Sequence, residues 1–216
     1  KKPQPQIIKK DWVKNSIDHF ILAKMEQQNL SPSAPADKRT LVRRLYLDLT
    51  GLPPTIKQVD SFVASRSSTA YSDLIDQLMT TPVFAERLTL DWLDVARYAD
   101  TNGFSIDDHR DTWAWRDWVI SAFMKNMSYK DFLTEQIAGD LLPNATDHQK
   151  SATGFLRNSM NTHEGGTIAE EYRVQYTVDK LDTVATTFMG LTVKCAQCHD
   201  HKFDPISQKH FYELFA

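Results

Sequence analysis

Apolar residues at helical spacing, cut into short runs by proline and glycine, constrain the fold of this chain most strongly. In the stretch DKRTLVRRLYLDLTGLPPT, Leu41, Leu45 and Leu49 recur every four residues, which predicts a helix with one buried face. Gly51 is placed to end this helix, and the proline pair that follows prevents its continuation. Similar runs follow along the sequence, and no segment shows the sustained alternation of a β-strand. We therefore expect an all-α fold, an irregular multi-helix domain with long loops that hold function.

The ends of the chain are interpreted in the same way. Residues 1–10, KKPQPQIIKK, are expected to form an extended linker, because Pro3 and Pro5 cannot lie inside a helix. Residues 11–216 are expected to form a single helical domain, an excised part of a longer protein. Its first helix is expected to bury a stripe of four residues, Val13, Ile17, Ile21 and Met25.

The longest helix is expected near the C-terminal end. Thr167 and Glu170 have the spacing of a capping box, in which two side chains satisfy free backbone N–H groups at a helix start. Gly190 is positioned to end this helix, which should cover roughly residues 168–190.

Composition excludes two classes of partner. The formal net charge is -3 with neutral histidines, so the chain lacks the excess of basic residues by which proteins bind nucleic acid. The sequence also contains no run of about 18 apolar residues, so no membrane span is expected in this segment.

The only two cysteines of the chain stand in one motif, CAQCH, at residues 195–199. Cys195, Cys198 and His199 have the C-x-x-C-H spacing of covalent haem attachment, in which the histidine becomes the proximal iron ligand. A structural zinc site would need two further ligands, for which His201 and His210 are near in sequence. A disulfide or a dithiol redox pair is the third interpretation, but redox pairs normally lie near a βαβ pattern, which this chain lacks. The spacing favours haem c.

At these residues the chain resembles a known family. The stretch GLTVKCAQCHDHKFDPISQKHFYELFA is similar to the signature of the planctomycete-type cytochrome c domain family. This family is a domain of unknown function that carries a C-x-x-C-H haem motif and is found beside cytochrome c domains. The likeness extends to VRRLYLDLTGLPPT, DWLDVARYADTNGF, WAWRDWVISAFMKNMSYKDFLTEQIAGDLLP, EGGTIAEEYRV and VDKLDT, from about residue 11 to residue 216.

The resemblance implies specific roles for the motif. It implies that Cys195 and Cys198 are the attachment thiols and that His199 is the proximal ligand of the haem iron. It also implies export by bacteria and, from the genes that neighbour those of relatives, a link to the breakdown of polysaccharide.

The sixth ligand of the iron is expected upstream of the motif, because no methionine follows Cys198. Met160 and His163, in and beside the NTHEGG loop, are the two main candidate distal ligands, and Met189 is a further upstream candidate. Their ordinary interpretations are a core methionine and a loop histidine. Glu164 and His163 are also candidate catalytic groups, because peroxide chemistry needs an acid or base near the iron.

Three further residues are candidate haem contacts. Arg97 and Arg116 could pair with the haem propionates, since guanidinium groups pair well with carboxylates, although such arginines more often pair with nearby aspartates. His201 follows His199 too closely to cross to the other face of the ring. It is therefore expected at the haem edge or in a hydrogen bond to a backbone carbonyl.

The sequence therefore predicts an exported c-type haem protein with a redox role, located in the periplasm or on the extracellular face. That role is electron transfer or haem-based oxidation linked to breakdown of extracellular material such as polysaccharide. Two strong axial ligands favour electron transfer, whereas an open position favours a haem oxidoreductase or peroxidase-like activity. The expected partners are a redox partner domain or cytochrome in the same longer chain, and carbohydrate. The alternative is a structural zinc-binding or haem-dependent binding module without redox turnover.

Overall fold

The computed structural model describes residues 2–104 and 106–215, and within these ranges it contains helices but no strand. Ten α-helices lie in these ranges: α1 (Ser16–Gln27), α2 (Lys38–Thr50), α3 (Ile56–Ala64), α4 (Ala70–Met79), α5 (Pro82–Val95), α6 (Trp113–Met124), α7 (Tyr129–Ala138), α8 (Asp147–Ala152), α9 (Ala169–Val184) and α10 (Gln208–Glu213). The all-α prediction is confirmed. Among the described residues, no helix has both the length and the apolar character that crossing a bilayer requires.

Capping residues and a glycine close in sequence determine where α2 and α3 begin and where α2 ends. The carboxylate of Asp37 accepts the backbone N–H of Thr40 at 2.9 Å and so caps the start of α2. Gly51 follows the helix with a φ of 70°, a left-handed conformation that favours glycine, so the predicted stop is confirmed. Thr55 and Gln58 then form a capping box at the start of α3.

The largest core cluster joins α5, α6 and α7. Trp115 and Trp118 of α6 are almost fully buried. Trp118 stacks on Phe132 of α7 with ring centroids 5.3 Å apart, and Trp92 of α5 meets the edge of the same ring at 4.9 Å. Burial of each large apolar side chain stabilises the fold by about 1.5–3 kcal/mol. These tryptophans therefore hold the domain together.

A second core cluster lies beneath the cysteine motif. It joins α9 and α10 to a short 3-10 turn, and its buried members are Val178, Leu181, Ala185, Val193, Ala196 and Phe211. The turn that carries the motif is thereby held against the longest helix of the chain.

The buried stripe predicted for α1 is wrong at two positions. Ile17 and Ile21 are 65% and 46% exposed, whereas Leu22 and Ala23 are buried. Helix α1 begins after Val13, so the four-residue series does not lie on one helical face. The face of α1 that meets the preceding segment carries Leu22 and Ala23 instead.

The C-terminal end of the predicted linker packs on α1. Residues 2–9 have neither helix nor strand. Ile7 is buried in a small cluster with α1, and the carboxylate of Glu26 accepts the N–H groups of Ile8 and Lys9 at 3.0 Å. This segment therefore makes specific contacts with the domain.

The bounds predicted for the longest helix are confirmed, but the capping box predicted at its start is wrong, because the residue that precedes the helix is Ile168. Glu170 does not form the capping box with Thr167, and α9 has no side-chain cap. Glu170 instead pairs with Arg173 three residues later, with Oε1 2.6 Å from Nη2. Residues at this spacing are neighbours on a helix, so a nearby cation takes the carboxylate. Beyond α9 the chain continues as a π turn to Gly190, which has a φ of 64°.

Candidate functional site

The CAQCH motif lies on one short 3-10 turn, Val193–Gln197, which Cys198 ends. A 3-10 helix has three residues per turn, so residues three apart share a face. Val193 and Ala196 fill the face that is buried in the second core cluster. Cys195 and Cys198 share another face, which is exposed, and both thiols are free. The core thus holds the turn while the two thiols stay accessible.

The ring of His199 is held so that one nitrogen is left for a ligand. Nδ1 lies 2.8 Å from the backbone carbonyl oxygen of Asp200. A carbonyl oxygen only accepts, so Nδ1 carries the proton and donates it. In the neutral ring, Nε2 then keeps its lone pair. Metal-binding histidines are commonly oriented in this way, by a hydrogen bond from the other ring nitrogen.

His201 organises the turn that follows the motif. Its side chain is 7% exposed. Nδ1 accepts the backbone N–H of Asp204 at 2.8 Å and that of Phe203 at 3.3 Å, and Nε2 lies 3.3 Å from Oγ1 of Thr192. Both ring nitrogens are therefore used inside the loop. The structure places His201 as a brace for this loop, and direct contact with a haem edge stays a prediction.

Helix α10 braces the end of the motif turn. The carbonyl oxygen of Gln197 accepts two hydrogen bonds, from Nε2 of Gln208 and from the hydroxyl of Tyr212, both at 3.0 Å. The carboxylate of Asp200 accepts the backbone N–H of Gln208 at 2.8 Å. The residues on both sides of His199 are thus fixed by one helix.

A cleft of about 300 Å³ opens beside the motif turn. Lys194 and Gln197 of the turn form part of its wall, and a face of α9 forms another part. Phe104 and Met160 complete the lining. The motif turn, α9 and the loop that contains Met160 therefore surround one space, which Cys195, Cys198 and His199 adjoin in sequence but do not line. Its volume is near the lower end of the ~300–1,000 Å³ typical of ligand pockets.

Met160 is not a core residue, because its side chain is 51% exposed at this cleft. It packs closely over Gly103, where an added Cβ would lie 2.8 Å from Cγ of Met160. Gly103 also has a φ of 81°, which other residues rarely adopt. The backbone at Gly103 thus leaves room for the Met160 side chain.

His163 and Glu164 occupy the exposed loop after Met160 and are not among the described residues that line the cleft. Nδ1 of His163 lies 3.3 Å from Nδ2 of Asn102 and 3.8 Å from Oδ2 of Asp108. The backbone N–H of Glu164 donates to Oγ1 of Thr162 at 3.2 Å. Of the loop residues proposed from the sequence, the structure brings Met160 to the cleft.

Arg97 is paired with a residue that lines the cleft, so it lies near the edge of the cleft. Its guanidinium pairs with the carboxylate of Asp179, and Asp179 lines the cleft. Arg97 also has a positive φ of 57°, so its backbone is fixed in an uncommon conformation. This arginine is close enough to the cleft to remain a candidate for a carboxylate-bearing ligand.

Arg116 belongs to a polar network with Asp100, Asp117 and Tyr98. It pairs with Asp117 at 2.9 Å and approaches Asp100 at 4.0 Å. Burial and the hydrogen bond to Asp100 raise the pKa of Tyr98 to about 12. Burial alone would raise the pKa of Asp100, but the hydrogen bonds donated by Tyr98 and Thr112 outweigh it and lower the pKa below 3.8. The predicted pairing of arginines with nearby aspartates is confirmed here.

A comparison of the sequence with family models identifies the kind of domain that carries this site. The model of PSCyt2, described as a protein of unknown function (DUF1549), matches residues 16–216. The chain belongs to the PSCyt2 family. The resemblance to a planctomycete-type domain of unknown function is thus confirmed. No curated protein and no solved structure matches the chain.

The donor atoms of this PSCyt2 domain fit haem c better than zinc. Zinc would need two more ligands beside the cysteines, of which His199 could supply one. The ring of His201 is fully used in its loop, and Nδ1 of His210 accepts the backbone N–H of Ser207 at 3.3 Å. Across residues 2–104 and 106–215, no three His, Cys, Asp or Glu side chains are gathered as a metal site. Haem c needs only the two thiols and Nε2 of His199.

Sequence reasoning missed several residues of the PSCyt2 cleft. Lys194 and Gln197 share a face of the motif turn, and the three-residue period of a 3-10 helix would have paired them once that turn was known. Phe104 and Tyr176 carry no such pattern, because the fold alone brings them to the motif.

Proposed function

We propose that this PSCyt2 domain is an exported c-type haem protein with a redox role. Cys195 and Cys198 would hold the haem through thioether bonds, and His199 would bind the iron through Nε2. The observation that carries the proposal is the motif turn itself. Two free thiols lie on an exposed face of the turn, and the adjacent imidazole already donates Nδ1–H to a carbonyl.

When bound, haem c supplies an iron centre that exchanges single electrons or reacts with oxygen species, according to its axial ligands. The residues of the chain hold and orient it. The second core cluster fixes the turn, the carbonyl of Asp200 sets the tautomer of His199, and the adjacent cleft provides a partly apolar wall. Arg97, beside this wall, is the candidate partner for a propionate.

Met160 is the better supported of the two main candidate distal ligands. It lines the cleft beside the motif turn, whereas His163 lies in the exposed loop beyond. Histidine below the iron and methionine above it is a combination found in electron-transfer cytochromes. We therefore favour electron transfer over haem-based oxidation, with Glu164 and His163 as the acid–base candidates for the latter.

The proposed location and partners of the domain follow from the chemistry of haem attachment and from the family resemblance. Thioether attachment takes place outside the cytoplasm, which favours the periplasm or the extracellular face. The partner would be a redox domain or cytochrome in the same longer chain. The link to breakdown of extracellular polysaccharide is supported by the family resemblance alone.

The roles of the motif residues are tested by haem content. The chain and its variants Cys195→Ala, Cys198→Ala and His199→Ala would be made in a host with a cytochrome c maturation system, and haem per chain measured by absorbance. We expect about one haem per chain in the parent and a large loss in each variant. His109→Ala is the matched control, because the side chain of this exposed histidine pairs with Asp111 and, within the described residues, forms no other ion pair. Equal haem in the parent and in all three motif variants would contradict the assignment.

The role of Met160 is tested by the spin state of the ferric protein. Met160→Leu keeps the size of the side chain but removes its sulfur, so we expect a low-spin parent and a variant shifted towards high spin. Met189→Leu is the control, because Met189 is exposed and does not line the cleft. Electron paramagnetic resonance measures the change. A low-spin spectrum that survives Met160→Leu and is lost in His163→Ala would assign the ligand to His163.

A further inference from the structure

A second cavity, of about 270 Å³, lies on the other side of the Met160 segment from the cleft. Ser159 and Asn161 line this cavity, whereas Met160 between them lines the cleft. None of the motif residues takes part in the cavity. It is therefore separate from the candidate haem site, and the two do not depend on each other.

The lining of this cavity is strongly cationic. Arg110, Arg157 and Lys180 contribute three positive charges, and Asp111 contributes the single carboxylate. Asp111 is already occupied by His109, with Oδ1 2.9 Å from Nε2. The formal excess is therefore two positive charges within a small space.

Some arginines of the domain have a partner carboxylate, and others, among them the two arginines of the cavity, have none within the described residues. Arg97, Arg116 and Arg173 each pair with a carboxylate. Within the part of the chain that the structure describes, Arg110, Arg157 and Lys180 form no ion pair. Like charges held close together repel one another, and an anion between them removes that cost.

Arg110 is held in place through Nη1, while its buried Nε–H has no hydrogen-bond partner. Its Nη1 donates to the carbonyl oxygen of Ser159 at 2.9 Å. The amide oxygen of Asn161, in the orientation that satisfies both ends of that amide, accepts from the same Nη1 at 2.8 Å. The Nε–H of Arg110 is buried and has no hydrogen-bond partner. Buried donors are almost always satisfied, so this one leaves Arg110, a residue of the cavity wall, with unmet hydrogen-bonding capacity.

The same segment holds a second unsatisfied polar group. Asn158 is 2% exposed, and neither its Oδ1 nor its Nδ2 has a partner. It stands between Arg157 and Ser159, which both line the cavity. Unpaired buried polar atoms cost about 1–3 kcal/mol each, so this segment beside the cavity has unmet hydrogen-bonding capacity, although Asn158 itself does not line the cavity.

We propose that this cavity binds a small molecule that carries an oxyanion, such as a carboxylate, sulfate or phosphate group. These groups share oxygens that only accept hydrogen bonds, and they match the planar fork of a guanidinium. The fixed Arg110 orients the acid group, and the exposed side chains of Arg157 and Lys180 close on it. The cavity volume lies just below the ~300 Å³ lower bound of typical ligand pockets, so the ligand is no larger than about one sugar unit.

Calorimetric titration tests the site on the full chain. The probes are inorganic sulfate, inorganic phosphate and glucuronate, each at constant ionic strength against chloride. We expect saturable binding of at least one probe. We also expect roughly tenfold weaker binding in Arg157→Gln and in Lys180→Gln, which is the loss of about one charge-assisted hydrogen bond. The probe that binds best identifies which acid group the site prefers.

Matched variants separate a site from a general effect of charge. Arg66→Gln and Lys130→Gln remove the same charges from exposed positions outside the cavity and should bind like the parent. Arg157 and Lys180 are themselves exposed, so their variants are expected to fold, which circular dichroism checks. The proposal is overturned if no probe binds saturably, or if all four variants weaken binding equally. Neither result depends on whether the chain carries haem.

Discussion

At the scale of single residues, local partners decide what each histidine near the motif can do. His199 and His201 are two positions apart, yet one keeps Nε2 available and the other uses both ring nitrogens within its loop. The C-x-x-C-H spacing was enough to single out His199. The role of His201 could not be predicted, because Thr192 reaches it only through the fold.

At the same scale, the lowered pKa of Asp100 predicts how the stability of the fold depends on pH. Its pKa is lower in the folded chain than the ordinary 3.8, so the ionised carboxylate stabilises the fold above about pH 4. This stabilisation is lost as the pH falls through the folded pKa. We expect Asp100→Asn to lower the free energy of unfolding by roughly 1–2 kcal/mol at pH 7, because charge-assisted hydrogen bonds from Tyr98 and Thr112 are weakened. Urea unfolding measures the difference, which should shrink near pH 3.

The control for Asp100 is Asp76→Asn. Asp76 is exposed on α4, and no hydrogen bond or ion pair is formed by its side chain within the described residues. This variant should unfold like the parent at both pH values. A cost of Asp100→Asn that is the same at pH 7 and pH 3 would contradict the assigned pKa.

At the scale of elements, the end of a helix can be predicted from the sequence when adjacent residues decide it. The prediction fails when another side chain competes for the capping group. Helix α2 stops at Gly51 as predicted, because glycine followed by two prolines leaves no alternative. The capping box expected at Glu170 is absent because Arg173 takes its carboxylate. Ile17 and Ile21 are exposed because α1 buries a different face. Apolar periodicity identifies a helix more reliably than it identifies the buried side.

The motif turn depends on its buried face, which gives a prediction at this scale. Ala196 is fully buried against the second core cluster, so Ala196→Leu would overpack it. We expect the free energy of unfolding to fall by about 1–3 kcal/mol in chemical denaturation. Ala64→Leu, at an exposed position that ends α3, should change it by less than about 0.5 kcal/mol. If both variants were equally stable, the turn would not be anchored as described.

At the scale of the whole molecule, two adjacent spaces are built from parts of the chain that lie far apart in sequence. The cleft joins Phe104 and Met160 to α9 and to the motif turn, and the cationic cavity joins Arg110 to Arg157 and Lys180. The all-α class followed from local patterns, and the candidate attachment residues, which stay a prediction, came from one short motif. Neither space could be predicted, because no periodicity relates residues that are separated by tens of positions in the sequence.

The central claim is that haem is joined covalently to this PSCyt2 domain through Cys195 and Cys198. The most direct measurement is a pyridine haemochrome spectrum, with intact mass, of denatured protein from a host with a cytochrome c maturation system. We expect the spectrum of a haem with two thioether bonds and a mass increased by one haem. Colourless protein with the mass of the bare polypeptide would contradict it.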